Sequence, residues 1–241
     1  MGDSISTFTG WMPEGYGNGH YPRNDSGVTT DDKTWWMELA NALGMDVLVT
    51  DSKGGTRVST FGGETTLAGC TDERVSKLAV TRHGKTIDPE VIIVYMGIND
   101  FNYGDGVTPA TPLGDYTGKT AVPETTDTFS AAYGVMLSKI CTSYPTAQIY
   151  VCTLPQCEHT SPTVFPEING NGVALEEFNE RIRTLANAFG VRVLDHHSAG
   201  IKYYNLDMYT HDLTHFNAAG MALLANNDIW QLDSAIRKRY E

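Results

Sequence analysis

No stretch of this sequence stays apolar long enough to cross a bilayer. The longest run, Val91-Ile92-Ile93-Val94-Tyr95-Met96, falls far short of the roughly 20 residues a spanning helix needs. Positive charge is also scarce: 17 Lys and Arg face 29 Asp and Glu, a net charge of −12, and no basic cluster interrupts the excess. That balance argues against a nucleic-acid partner and against an anionic membrane surface, and it suits a neutral or cationic small substrate. The N-terminus lacks the charged start, apolar stretch and small-residue cleavage site of an export signal. Because the chain starts abruptly at a motif, localisation is left open.

Cysteine is sparse and unpaired in pattern. Cys70, Cys141, Cys152 and Cys157 form no CxxC pair and have no histidines at zinc-finger distances. They read as free, mostly buried thiols, with a Cys152–Cys157 bridge as the alternative. Internal repeats, heptads and dividing linkers are missing too. A chain of 241 residues, 41% of them hydrophobic, then reads as one α/β domain over 1–241.

What is present alternates. Met45–Thr50, Glu90–Met96, Gln148–Thr153 and Val191–Asp195 are short, β-branched and largely apolar, as buried parallel strands are. Helical patterns lie between and beyond them. Asp31–Leu43 has Thr29, Thr30 and two acidic residues at its start and Gly44 at its end. Thr71–Arg82, Thr126–Ser143, Val173–Phe189 and Asn217–Lys238 complete the set. Strand alternating with helix predicts an open parallel sheet with helices on both faces. Three long polar loops, Thr9–Thr30, Phe101–Glu124 and Leu154–Gly172, should rise on the edge of the sheet where ligands bind. Trp11, Tyr16, Tyr21, Phe101, Tyr103 and Tyr116 populate these loops, either to line a site or to anchor the loops. Trp35 and Trp36 lie on a helix, and at least one belongs to the core.

Three motifs carry chemistry. Gly2-Asp3-Ser4-Ile5-Ser6 can place a serine hydroxyl on a tight turn, although Gly-Asp-Ser is also an ordinary turn sequence. Met96-Gly97-Ile98-Asn99-Asp100 follows a strand, and Asn99 could offer a neutral amide N–H₂ to an oxyanion; a simple turn explains it equally. In His211-Asp212-Leu213-Thr214-His215, a carboxylate three residues before an imidazole can fix its tautomer, or Asp212 can merely cap a helix.

Together the three resemble the SGNH/GDSL hydrolase family in order and spacing, across residues 2–220. The resemblance implies Ser4 as nucleophile, His215 as general base and acid, and Asp212 as its orienting partner. It also implies an oxyanion hole from the Ser4 N–H, the Asn99 side chain and a glycine N–H. Gly55 in Gly55-Thr56-Arg57-Val58-Ser59 looks most like that glycine, with Gly54 next; Asp51 replaces the Asn often found upstream. The implied fold is a three-layer α/β/α sandwich with a flavodoxin-like parallel sheet. No G-x-S-x-G elbow is present, which separates the chain from the α/β-hydrolases.

In that family the Gly-Asp-Ser turn ends a central first strand, which is missing here, since only Met1 precedes Gly2. The sheet centre would then be left short, filled by another segment or supplied by a neighbouring molecule, with Ser4 poorly held. The implied reaction is ester hydrolysis without metal or cofactor. The substrate would be a small-molecule or carbohydrate ester, with a lipid ester or a non-catalytic binding role as alternatives; oligomeric state is undetermined. His196-His197 point to opposite faces and so cannot share an ion. His20, His83 and His159 show no partner pattern.

Overall fold

The computed structural model describes residues 1–63, 67–102, 109–157 and 167–237, with side chains described through 232. Its elements in chain order are α1 (Trp35–Leu43), α2 (Asp72–Ser76), β1 (Val80–Arg82), β2 (Lys85–Ile87), β3 (Val91–Val94), α3 (Ile98–Asn102), α4 (Phe129–Ser143), β4 (Gln148–Cys152), α5 (Leu175–Phe189), β5 (Arg192–Leu194), α6 (Leu206–Tyr209) and α7 (Ala218–Arg237).

The β-branched runs form the expected parallel sheet. β4 lies between β3 and β5, with Ile92 opposite Ile149 and Val151 opposite Val193. Beyond β3 the sheet continues through single bridges: Gly2 pairs in parallel with both Tyr95 and Ser52. The spatial order is therefore 51–53, 1–2, β3, β4, β5, which is the flavodoxin-like order 2-1-3-4-5. Helices cover both faces. Trp35 of α1 packs edge-on to Tyr95, and α1 packs on α7. The next residue, Met96, points the opposite way and sits with Met136 of α4 around Gly69; α4 packs on α2 and α5.

Met45–Thr50 does not form the expected strand. It runs without a ladder: the pairing of the N-terminal segment is with Ser52, not with residues 45–50. A cavity of about 590 Å³ lies between residues 45–50 and 87–93. Among the described residues no other segment fills that place. The short piece present is nonetheless held on both sides: Gly2 N donates to Asp51 O (2.9 Å) and Tyr95 N to Met1 O (3.0 Å). The Met1 ammonium donates to Ile93 O at 2.9 Å, and loss of solvation pulls its pKa down to about 6. Ser4 is therefore not on a frayed end.

Other boundaries moved for local reasons. The α1 cap is Thr34, whose hydroxyl accepts from Met37 N, not Thr29 or Thr30; Asp31–Lys33 is a separate 3₁₀ turn. Only Asp72–Ser76 of the expected Thr71–Arg82 helix is helical. The rest is a hairpin of β1 and β2, whose two-residue turn puts both His83 (φ 52°) and Gly84 (φ 73°) in the left-handed region, as a type I′ turn requires. Phe101 lies on α3, not on a loop. All four cysteines are free, so no Cys152–Cys157 bridge forms, and burial pushes both thiols well up. Trp35, Trp36 and Phe101 are all buried, and so are the loop residues Tyr16 and Tyr21, which anchor their loop rather than line a site. Tyr103 and His159 lie outside the described residues.

Behind the Gly2 turn sits Arg74 of α2, fully buried with Asp51. Its Nε lies 3.1 Å from both Asp51 carboxylate oxygens. Its remaining N–H groups donate to Gly2 O (2.8 Å), Asp51 O (3.0 Å), Thr56 Oγ1 (3.0 Å) and Leu67 O (2.9 Å). Removing one partner of such a pair strands a buried charge, so Arg74→Ala should lower unfolding stability by about 3–5 kcal/mol, read from the urea midpoint. Arg74→Ala/Asp51→Ala should recover only part of that loss, because the Leu67 carbonyl loses its guanidinium donor and the Gly2 carbonyl keeps only the Lys53 N–H. Full recovery would mean that the guanidinium bonds to these carbonyls contribute nothing.

Candidate active site

The serine is presented by a single 3₁₀ turn, Ser4–Ser6, capped by Asp3, whose Oδ1 accepts from Ile5 N at 3.1 Å. The glycine before it is needed for space: a Cβ on Gly2 would fall 2.6 Å from Ser6 Cβ and 2.8 Å from Ser52 Oγ. The second motif follows β3. Gly97 turns the chain at φ 131°, a conformation only glycine adopts readily, and opens α3 with Asn99 in its first turn. The third motif is a turn closed by an antiparallel bridge between Thr210 and Phe216. Leu213 sits there at φ 68°, and Leu213 N donates to Thr210 Oγ1. That strained residue folds Asp212 back onto His215.

These pieces meet. His215 Nε2 lies 2.8 Å from Ser4 Oγ, and His215 Nδ1 lies 2.8 Å from Asp212 Oδ2. Asp212 Oδ1 accepts from the backbone N–H of His215 (2.7 Å) and Thr214 (3.2 Å). Partial burial acts to raise the Asp212 carboxyl, but the side-chain and backbone bonds from His215 outweigh it and hold it well below the usual carboxylate range. Asn99 Nδ2 donates one hydrogen to Thr56 O at 3.0 Å, leaving its second N–H. Ser4, Gly54, Gly55, Asn99, Asp212 and His215 all border one cavity of about 550 Å³, beside Asn18, Gly19 and His20. Gly55 has φ 73°; a Cβ on Gly54 would reach 3.7 Å from Ser4 Cβ. Every residue picked out by motif is thus at one place.

The loop bearing these glycines is fixed from below. Asp100, fully buried, accepts from Val58 N (2.7 Å) and Ser59 N (3.1 Å). Burial raises its carboxyl, and these bonds oppose the rise.

Two histidines were not anticipated. His20, from the long loop over 9–30, stacks on His215 with ring centroids 3.8 Å apart and planes 14° apart. Its Nε2 lies 2.9 Å from His211 Nε2. Burial, then the neighbouring His215 and His211, lowers its pKa to about 4. His211 is also lowered, first by burial. No signal short of the fold links His20 to His211, 191 positions away. The pair His196-His197 diverges as expected: His196 meets buried Asp228 at 2.9 Å, whereas His197 faces Leu154 O and Asn179. Of the three long loops, the first borders the cavity; 103–108 and 158–166 of the other two lie outside the described residues.

Asp3 bears on pH dependence. Burial raises its carboxyl to about 6, against the Ile5 N–H bond and the charges of His215 and Arg74, and its Oδ2 has no hydrogen-bond partner. Because the folded chain holds this proton more tightly, the contribution of Asp3 is fully present below 3.8, its ordinary value, and is lost as pH rises through about 6. Asp212, shifted the other way, contributes above its ordinary value and loses that contribution in acid. Asp3→Asn should therefore be more stable than wild type at pH 7, by up to about 3 kcal/mol, and show no advantage near pH 3.5. The Met1 ammonium titrates in both proteins and cancels. Equal offsets at both pH values in urea melts would refute this.

The family model of the GDSL-like lipases and acylhydrolases matches residues 1–223. By sequence, no curated protein matches. By structure, a GDSL-like lipase candidate from Bacteroides ovatus superposes with a TM-score of 0.65 at 22% identity, covering 98% of this chain and 95% of that one. An acetyl xylan esterase superposes at 0.54 and 16% identity, covering 86% and 94%. A carbohydrate esterase family 3 protein from Talaromyces cellulolyticus does so at 0.53 and 15%, covering 99% and 96%. At these identities the likeness establishes the fold.

Proposed function

Because the chain belongs to the GDSL-like lipase/acylhydrolase family, we propose that it is a serine esterase with Ser4 as nucleophile, His215 as general base and acid, and Asp212 as the residue that orients His215. The observation that carries this reading is the unbroken relay from Ser4 Oγ to His215 to Asp212, 2.8 Å at each step. In the first half-reaction Ser4 Oγ attacks the acyl carbonyl as His215 Nε2 takes its proton. The negative oxygen is met by the Ser4 N–H, the free N–H of Asn99 and a glycine N–H, assigned to Gly55 with Gly54 as alternative. His215 then protonates the departing alcohol. Water, deprotonated by His215, releases the acyl group and restores Ser4. No cofactor is needed for these steps.

The substrate reading is a short acyl ester on a polar alcohol, with acetylated carbohydrate as the leading class. The cavity border is mostly polar, with Asn18, Asn99, Asn102 and Thr214 against Ile98 as the large apolar side chain. A border of that kind fits an acetyl group and hydroxylated neighbours better than a long acyl chain. The acetyl xylan esterase and the family 3 carbohydrate esterase share the fold, which accords with this class.

A panel of p-nitrophenyl esters from acetate to palmitate, run beside acetylated sugars with Ser4→Ala as control, tests both parts. Activity is expected to peak at acetate and to vanish in Ser4→Ala. Activity surviving that substitution sinks the mechanism, and a palmitate optimum sinks the substrate class. Asn99→Ala should lower kcat on the order of 10²–10³ with little change in KM. Fluorophosphonate should label Ser4; an unlabelled, well-folded protein would instead be a binding module that retains the fold.

A further inference from the structure

His20, His211, Asp212 and His215 each bring one potential ligand atom to within 4.8 Å of the others, and ester hydrolysis uses only the last two. His20 Nε2 and His211 Nε2 face each other at 2.9 Å. His211 Nε2 lies 3.7 Å from Asp212 Oδ2. Zinc binds imidazole nitrogen and carboxylate oxygen at about 2.0–2.2 Å, so ligand atoms around a tetrahedral ion sit roughly 3.3 Å apart. The two observed separations bracket that value, and small ring movements equalise them. The net charge of −12 concentrates cations at the surface.

We propose that His20 Nε2, His211 Nε2 and Asp212 Oδ2 form a zinc site whose occupation switches the Ser4–His215 relay off. Asp212 Oδ2 is the same oxygen that accepts from His215 Nδ1, so the ion and the imidazole compete for it. A dication beside His215 also opposes the imidazolium that forms when Ser4 gives up its proton. His20 stacks on His215, so any rotation that brings it onto the ion withdraws that support. No covalent bond in the protein breaks; the His20–His211 and His215–Asp212 hydrogen bonds give way to the ion, and removing it restores the relay. The binding part of this inference stands on geometry alone; the switching part rests on the esterase reading.

The test is calorimetric titration of Zn²⁺ into the full chain, with Ser4→Ala, His20→Gln and His211→Gln alongside. One ion per chain should bind to wild type and to Ser4→Ala, and either histidine variant should bind at least about tenfold more weakly, since even an outer-shell partner is worth 10–100-fold. Wild-type hydrolysis of p-nitrophenyl acetate should fall at least about tenfold on saturation and return with EDTA. In His211→Gln the ratio of rates without and with zinc should approach one, whatever its zinc-free rate. No binding, or binding indifferent to His20 and His211, overturns the site. Histidine-dependent binding that leaves hydrolysis unchanged overturns the switch. Zinc bound normally by a chain that hydrolyses no ester keeps the site and removes the esterase reading instead.

Discussion

The buried Arg74–Asp51 pair holds the serine turn and the glycine loop in one frame. A guanidinium has five N–H donors in a fixed fork, and here they reach a carboxylate, three backbone carbonyls and the Thr56 hydroxyl. Those acceptors belong to the chain end carrying Ser4, the segment carrying Gly54 and Gly55, and the loop leading into α2. A buried ion pair is a weak source of net stability, because desolvation consumes most of the attraction. Its use here is positional: any shift of the turn relative to the loop leaves a charge or a carbonyl without a partner. Asp51, which stands where the family often has Asn, is explained by this arrangement, since only a carboxylate neutralises the buried guanidinium.

Asp100 does the same work from the other side, binding two successive N–H groups of the loop at Val58 and Ser59. The residues bordering the cavity are therefore braced by charged groups that never face it. Such bracing suits the proposed oxyanion site, whose donors would have to be fixed before the reaction starts. Around the cavity, the non-glycine residue in a left-handed conformation among those described is Leu213, on the opposite wall, which brings Asp212 against His215.

Much of this was legible in the sequence because each motif is a local device. Asp212 and His215 are three residues apart on one turn, Gly97 and Asn99 follow a run of β-branched residues, and Gly2-Asp3-Ser4 is a tight-turn sequence by itself. The strands at 91–94, 148–152 and 192–194 were readable for the same reason. What could not be read depends on distant parts of the chain. Met45–Thr50 has strand composition, but a strand also needs a neighbour along its length. The expected helix Thr71–Arg82 includes Val80–Arg82, although the β-branched residues on either side of His83-Gly84 are a usable hairpin signal. Arg74 looked like an ordinary helix residue, and His20 gains meaning only when the fold sets it on His215.

Pairing divides the described sheet into two regimes. At the end carrying Ser4, amides are locked between neighbours on both sides and behind buried charges. At the other end, residues 45–50 and the start of β3 face a cavity instead of a partner, and main-chain groups there lack the ladder that protects β4. Main-chain N–H groups at 45–50 should therefore exchange faster than those of β4. Rigidity is concentrated at the edge that carries Ser4, and the opposite end of the same sheet is left soft.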